Sequence, residues 1–86
     1  MKFVVYTRRD DPQCDAILRY LQGEHGRGLP VETRPCADHL RTLMGLQVVA
    51  PAVAVIDQDG RRLDWWGGFR PDLMSYWVDV FAGDAA

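Results

Sequence analysis

The chain predicts an α/β fold in the order βαβαββα, with one four-stranded mixed sheet and helices on both of its faces. Three observations lead there. A short apolar run, Phe3-Val4-Val5-Tyr6, is followed at once by a helical pattern and then by a second strand-like run. Within about 33 residues this makes a right-handed crossover joining two parallel strands. Further on, two strand-like runs flank Asp57-Gln58-Asp59-Gly60, a turn with a glycine available for positive φ, so the second run returns antiparallel to the first. Finally, Pro12, Pro51 and Pro71 stand where elements begin rather than inside them.

Each element has a local cause. Residues 2 to 7 combine β-branched and aromatic side chains without polar alternation and stop at Arg8-Arg9-Asp10, which describes a buried strand central in its sheet. Pro12 lacks an N–H and has a φ preset for a helix, so it is the first helical residue, with Asp11 as the N-cap. Cys14, Ile17, Leu18 and Leu21 then line one helix face until Gly23. Glu24-His25-Gly26-Arg27-Gly28 reads as plain flexible loop, and Leu29-Pro30-Val31-Glu32-Thr33 as the second strand. Pro35-Cys36 follow it. Ala37 to Met44 carries Leu40, Leu43 and Met44 at helical spacing, and Gly45 ends that short helix. Val48 to Ile56 is strand-like but contains Pro51, which cannot donate to a ladder and therefore stands at the strand's start. Arg61 to Trp66 is the returning strand, in which Trp65 and Trp66 must point to opposite faces. Gly67-Gly68 open the last loop, and from Pro71 a C-terminal helix sets Leu73, Trp77 and Phe81 on one face.

The chain has 86 residues, enough for a single domain, 1–86, with one modest core. Its formal charge of −2 leaves no basic surplus, so nucleic acid is not an expected partner. No apolar run reaches the length of a membrane span, and the N-terminus is too short and strand-like for a secretion signal; the expected location is cytoplasmic, without a membrane partner. The two cysteines are too few for a disulfide framework and lack the ligand count of a zinc site, so no metal is expected. Cys36 and His39 have an i, i+3 spacing, but two ligands do not make a site, and His39 reads as solvated.

Chemistry is expected at Asp11-Pro12-Gln13-Cys14, where the first strand hands over to the first helix. In that first turn the free N–H groups and the helix dipole favour an ionised sulfur on Cys14 by up to about 1 kcal/mol. Asp10, Asp11 and Asp15 oppose it. Two readings of Cys14 follow: a small interior residue packed beneath the helix start, or a lone thiol that forms mixed disulfides or is oxidised. Asp11 likewise reads either as a cap worth about 1 kcal/mol relative to alanine or as a general base acting on a bound thiol. Cys36 is a candidate second thiol. Parallel neighbouring strands end at one edge, so Cys14 and Cys36 would pair if their Cα atoms fell within about 7 Å, although reducing conditions disfavour it.

The order of elements, the proline before the third strand and the helix-start cysteine together resemble the thioredoxin fold, at the size of a glutaredoxin. Val5-Tyr6-Thr7-Arg8 followed by Asp11-Pro12-Gln13-Cys14 resembles the glutaredoxin strand leading into Cys-Pro-x-Cys. Trp66-Gly67-Gly68-Phe69-Arg70-Pro71-Asp72 is similar, with one difference, to the Trp-Ser-Gly-Phe-Arg-Pro-Asp signature of NrdH-type redoxins. Those are small glutaredoxin-like proteins that pass electrons to ribonucleotide reductase and are reduced by thioredoxin reductase. The likeness covers residues 2 to about 82 in architecture, with specific identity confined to these two stretches and Pro51.

The resemblance implies that Pro51 is a cis-proline facing the active site, with Ala50 offering main-chain hydrogen bonds to an extended peptide or to glutathione. A trans proline that merely starts a strand is the alternative. It also implies that Gly67, Gly68, Phe69, Arg70 and Asp72 form the loop and helix start at which glutaredoxins hold the γ-glutamyl end of glutathione, with Arg8 as a second positive contact. Pro71 removes one donor there, and NrdH-type redoxins do not characteristically use glutathione. The chain departs from the family where its nucleophilic cysteine would stand: Asp11 occupies that place, and a carboxylate cannot attack a disulfide. Two functions are therefore expected. One is a glutaredoxin/NrdH-like thiol redox protein with a degenerate Asp-Pro-Gln-Cys site, limited to single-thiol disulfide or mixed-disulfide exchange through Cys14 with a reductase or its client. The other is a non-catalytic binding module that uses the redoxin groove to hold a peptide, a partner protein or glutathione.

Overall fold

A computed structural model describes residues 1–85, with the side chains of residues 1–83. The first strand, β1 (Lys2–Thr7), lies inside the sheet: it pairs parallel with β2 (Val31–Pro35) and antiparallel with β3 (Ala52–Ile56). The fourth strand, β4 (Arg62–Gly67), is antiparallel to β3, giving the order β2-β1-β3-β4. With three α-helices among the described residues, this is a mixed α/β architecture consistent with a thioredoxin-type fold. Because β1 is paired on both edges and covered on both faces, Phe3 to Tyr6 are all buried, alternating between the two sides.

Helices α1 (Pro12–Gln22) and α3 (Pro71–Ala85) cover one face, where Phe3, Val5, Val53, Val55 and Trp66 of the sheet meet Ile17, Leu21, Met74, Val78 and Phe81. The short α2 (Leu40–Leu46) covers the other, with Leu43 set on Val4, Tyr6, Ala52 and Ala54. The returning turn forms as expected: the Asp57 carboxylate accepts from the Asp59 and Arg61 N–H groups, and Gly60 takes φ 83°.

Several boundaries differ from the sequence expectation. The second strand starts at Val31, not Leu29, and runs on to Pro35, because its register is set by β1, Phe3 against Val31 through Thr7 against Pro35. A proline is tolerated there because β2 is an edge strand. The segment expected to be one helix from Ala37 splits into a 3₁₀ turn, Cys36–Asp38, and α2, since His39 (φ −134°, ψ 29°) leaves the helical region between them. Gly45 does not end α2. The helix continues to Leu46 and stops at Gln47, which adopts φ 59°; the Gln47 N–H bonds to the Met44 carbonyl and the Val48 N–H to that of Leu43. This is a Schellman closure with glutamine where glycine is usual, and Val48 just beyond it packs on the cluster that contains Leu43.

On α3 the deeply buried side chains are Met74, Val78 and Phe81, while Leu73 and Trp77 sit at the margin. The reason is polar: Trp77 donates its indole N–H to Asp64 at 2.9 Å, which holds that ring at the edge of the core. Trp66 is buried with its indole N–H unpaired among the described residues, and Trp65, on the opposite face, donates to the Leu46 carbonyl at 3.1 Å. Neither histidine is simply solvated. His25 lies in a 3₁₀ turn and stacks on Tyr20 with ring centroids 4.9 Å apart, and half-buried His39 meets Tyr6 edge-on at 5.6 Å. Among the described residues no helix is long and apolar enough to cross a membrane.

Candidate functional site

The C-terminal end of β1 delivers Arg8 and Asp11 to the start of α1. Asp11 is extended (φ −112°, ψ 120°), and its carboxylate accepts from the Gln13 N–H at 2.8 Å and the Cys14 N–H at 3.3 Å. The N-cap read from the sequence is therefore formed, and the carboxylate is engaged in it. Cys14 follows in the first turn and is 4% exposed, packed beneath the helix start. Of the two readings of this residue, burial describes its position in the folded chain. Cys36 lies half-buried at the start of the 3₁₀ turn, and both thiols are free, so the Cys14–Cys36 pairing is not formed.

Opposite Asp11, the chain leaves α2 and reaches β3 through Val48-Val49-Ala50-Pro51, where the Ala50–Pro51 bond is cis, as the resemblance implied. The third wall is Gly67-Gly68. Gly67 passes close to the Val49 carbonyl, which would stand 3.0 Å from a Cβ at that position. Gly68 takes φ 78° and donates its N–H to the Pro51 carbonyl at 2.7 Å. A Cβ on Gly68 would lie 2.7 Å from Gln13 Oε1, and that same oxygen accepts the Phe69 N–H at 3.3 Å. Gly68 is favoured by its positive φ, Gly67 lies tight against the Val49 main chain, and Gln13 ties the start of α1 to the loop before α3.

These three walls enclose a cleft of about 460 Å³ lined by Arg8, Asp11, Gln13, residues 47–51, Gly67 and Gly68. Of the residues singled out in the sequence, it gathers Arg8, Asp11, Ala50, Pro51, Gly67 and Gly68. The others lie elsewhere. Cys14 is behind the wall and Cys36 lines a neighbouring hollow. Phe69 turns its ring edge-on to Tyr20 of α1. Arg70 and Asp72 pair with each other, Arg70 Nε and Nη2 donating to the two carboxylate oxygens at 3.2 and 3.0 Å. The bonds from Arg70 hold the Asp72 carboxyl below the usual carboxylate range, and the Leu73 N–H adds to this. Sequence reasoning missed Gln13, Gln47, Val48 and Val49; the first carried a weak signal, as the variable position between proline and cysteine.

The loop before α3 leaves few free main-chain donors for a carboxylate such as those of glutathione. A bound carboxylate would need free donors at this helix start. The Gly68 and Phe69 N–H groups are taken, Pro71 has none, and the Asp72 carboxylate itself occupies the N-terminal turn and neutralises Arg70. Among the described residues no group of three or more His, Cys, Asp or Glu comes together that could hold a metal ion. Compared with protein-family models, curated proteins and solved structures, the chain has no significant match.

Proposed function

We propose that this chain is a binding module on a redoxin framework, whose cleft holds an extended polypeptide segment of a partner protein. The observation that carries this reading is the main chain of Ala50. It lines the cleft, belongs to no helix or strand, and among the described residues neither its N–H nor its C=O is hydrogen-bonded. A main-chain donor and acceptor left open in a cleft are satisfied when an extended peptide lies alongside and pairs with them as an added strand. Val48, Val49 and Pro51 supply apolar walls for its side chains, while Arg8, Gln13 and Gln47 supply polar contacts. Dithiol exchange, by contrast, needs an accessible thiolate to attack sulfur. Asp11 stands in that place with its carboxylate engaged as a cap, and Cys14 is buried.

The test is a titration of isotope-labelled protein with extended synthetic peptides, followed by amide shifts, beside alkylation of Cys14. The expected result is movement of the Ala50, Gly67 and Gly68 amides, with Cys14 labelled only as the protein unfolds. Silent cleft amides, together with rapid Cys14 labelling and a disulfide-reductase activity lost in Cys14→Ser, would overturn it.

A single-thiol redox protein is the second reading, favoured by the place of Cys14 in the first turn of α1, directly behind Asp11 and Gln13 of the cleft wall. This reading requires that turn to open so that the sulfur reaches the cleft. Its thiolate would then attack one sulfur of a partner disulfide, forming a mixed disulfide and releasing the other sulfur as a thiolate. The reductase assay with Cys14→Ser separates the two readings.

A further inference from the structure

Along one flank of α2 the surface is unusually apolar: Leu40 is 58% exposed and Met44 75%, with Val49 beyond them at 76%. They cluster rather than scatter. With Leu43 and Val48 beneath them they border a hollow of about 430 Å³, whose lining shares Arg8, Val48, Val49 and Ala50 with the cleft described above. A third hollow, of about 520 Å³, adjoins it through Arg8 and Cys36 and is flanked by Arg9. Arg8 thus stands at the junction of all three. Arg41 lies on α2 three positions before Met44, hence beside it on the helix surface. Among the described residues Arg8, Arg9 and Arg41 enter no ion pair. Asp10 and Asp11 follow Arg8 and Arg9 in the chain, Asp11 engaged in capping α1, and Asp38 sits on the 3₁₀ turn before α2.

Resting on the reading of the cleft given above, we propose that the hollow beside α2 continues the same binding surface and takes a partner segment in which large apolar residues alternate with Asp or Glu. Clustered exposed apolar side chains mark interaction surfaces, and the charge at their rim selects what approaches. Among the described residues this rim carries three arginines outside any ion pair, in a chain whose formal charge is −2. A second copy docking by the same patch would set its own Arg8, Arg9 and Arg41 against these, which disfavours it. An extended segment sends alternate side chains to opposite sides. With its apolar residues in the hollow its carboxylates stand outside it, where the long side chains of Arg8, Arg9 and Arg41 at the rim have to fold over to meet them.

The experiment uses the full chain and three synthetic peptides of equal length. The first alternates Leu or Phe with Glu or Asp, the second has Lys in place of the acids, and the third has Ser in place of the apolar residues. The first alone is expected to shift the amides of residues 40–49 as well as those of Gly67 and Gly68. Met44→Asp and Arg8→Glu, checked for unchanged thermal unfolding, should each weaken it by about tenfold or more. Equal binding of the lysine peptide overturns the proposal, as do shifts that reach Gly67 and Gly68 but leave α2 silent, an outcome under which the cleft reading survives. Silence of both regions overturns both. Shifts of α2 that grow with protein concentration in the absence of peptide would assign the patch to a second copy and overturn the partner named here.

Discussion

On the face of the sheet covered by α1 and α3, ten buried side chains interlock, from Phe3 and Val5 below to Met74, Val78 and Phe81 above. On the other face α2 contributes Leu43 alone to the buried set, over Val4, Tyr6 and two alanines. Length explains part of this, because α2 has seven residues and spans about 10 Å, roughly half the run of the sheet beneath it. What α2 leaves uncovered is treated in two ways. Away from the cleft, Lys2 and Arg34 bind Glu32 between them across β1 and β2. Beside the cleft, Leu40, Met44 and Val49 stay exposed. The comparison teaches that one face holds the chain folded, while the other is finished with surface that a partner can use.

The sharpest way to break this comparison is truncation of one buried side chain on each face. Phe81→Ala should cost about 3–5 kcal/mol and Leu43→Ala about 2–3 kcal/mol in urea unfolding, since the thick face has more to lose and less freedom to collapse. A reversed ranking would mean that α2 carries more of the fold than its burial suggests. Next in size, Gly68→Ala should cost about 1–2 kcal/mol, because φ 78° disfavours any residue with a Cβ. It should also push Gln13 off the Phe69 N–H, read as faster hydrogen exchange at Phe69. Asp11→Ala removes the cap of α1 and should cost about 1 kcal/mol, whereas Asp11→Ser should retain most of it. Intact stability in Asp11→Ala would mean that the carboxylate is not needed for capping.

The smallest effect concerns acid. Hydrogen bonds from Lys2 and then Arg34 hold the Glu32 carboxyl below its ordinary value of 4.5. A folded-state value below the unfolded one stabilises the fold above the unfolded value and ceases to do so as pH falls through the folded value. The loss therefore belongs to the region below about pH 4.5, and it is modest because the group is exposed to solvent. Glu32→Gln should flatten that part of a stability-against-pH curve and leave neutral pH almost unchanged; an unaltered acid limb would remove Glu32 from the account.

The cleft illustrates how far local signals reach. Asp11 as cap, Pro12 as first helical residue, the turn at Gly60 and the opposed tryptophans were legible because each depends on backbone preferences within a few residues. Gln13 and Val49 were not, since their roles come from Phe69, Gly68 and Gly67, which lie far off in sequence. The same limit explains the end of α2. Gly45 carries the local stop signal, but Leu43 and Val48 both pack into the cluster on the sheet, and the helix between them runs on to Leu46 with Gln47 in the left-handed cap.

By itself the sequence determined the order of strands and helices, the central position of β1 and the capped helix start, all consequences of fixed φ angles, side-chain periodicity and nearby hydrogen bonds. Only the tertiary structure decided that Cys14 is shut away while Ala50 keeps an open main chain, and that three of the apolar residues around α2 face solvent. Burial is a property of what packs on a residue from elsewhere in the chain, and with a helix this short the second face has too little to pack on it.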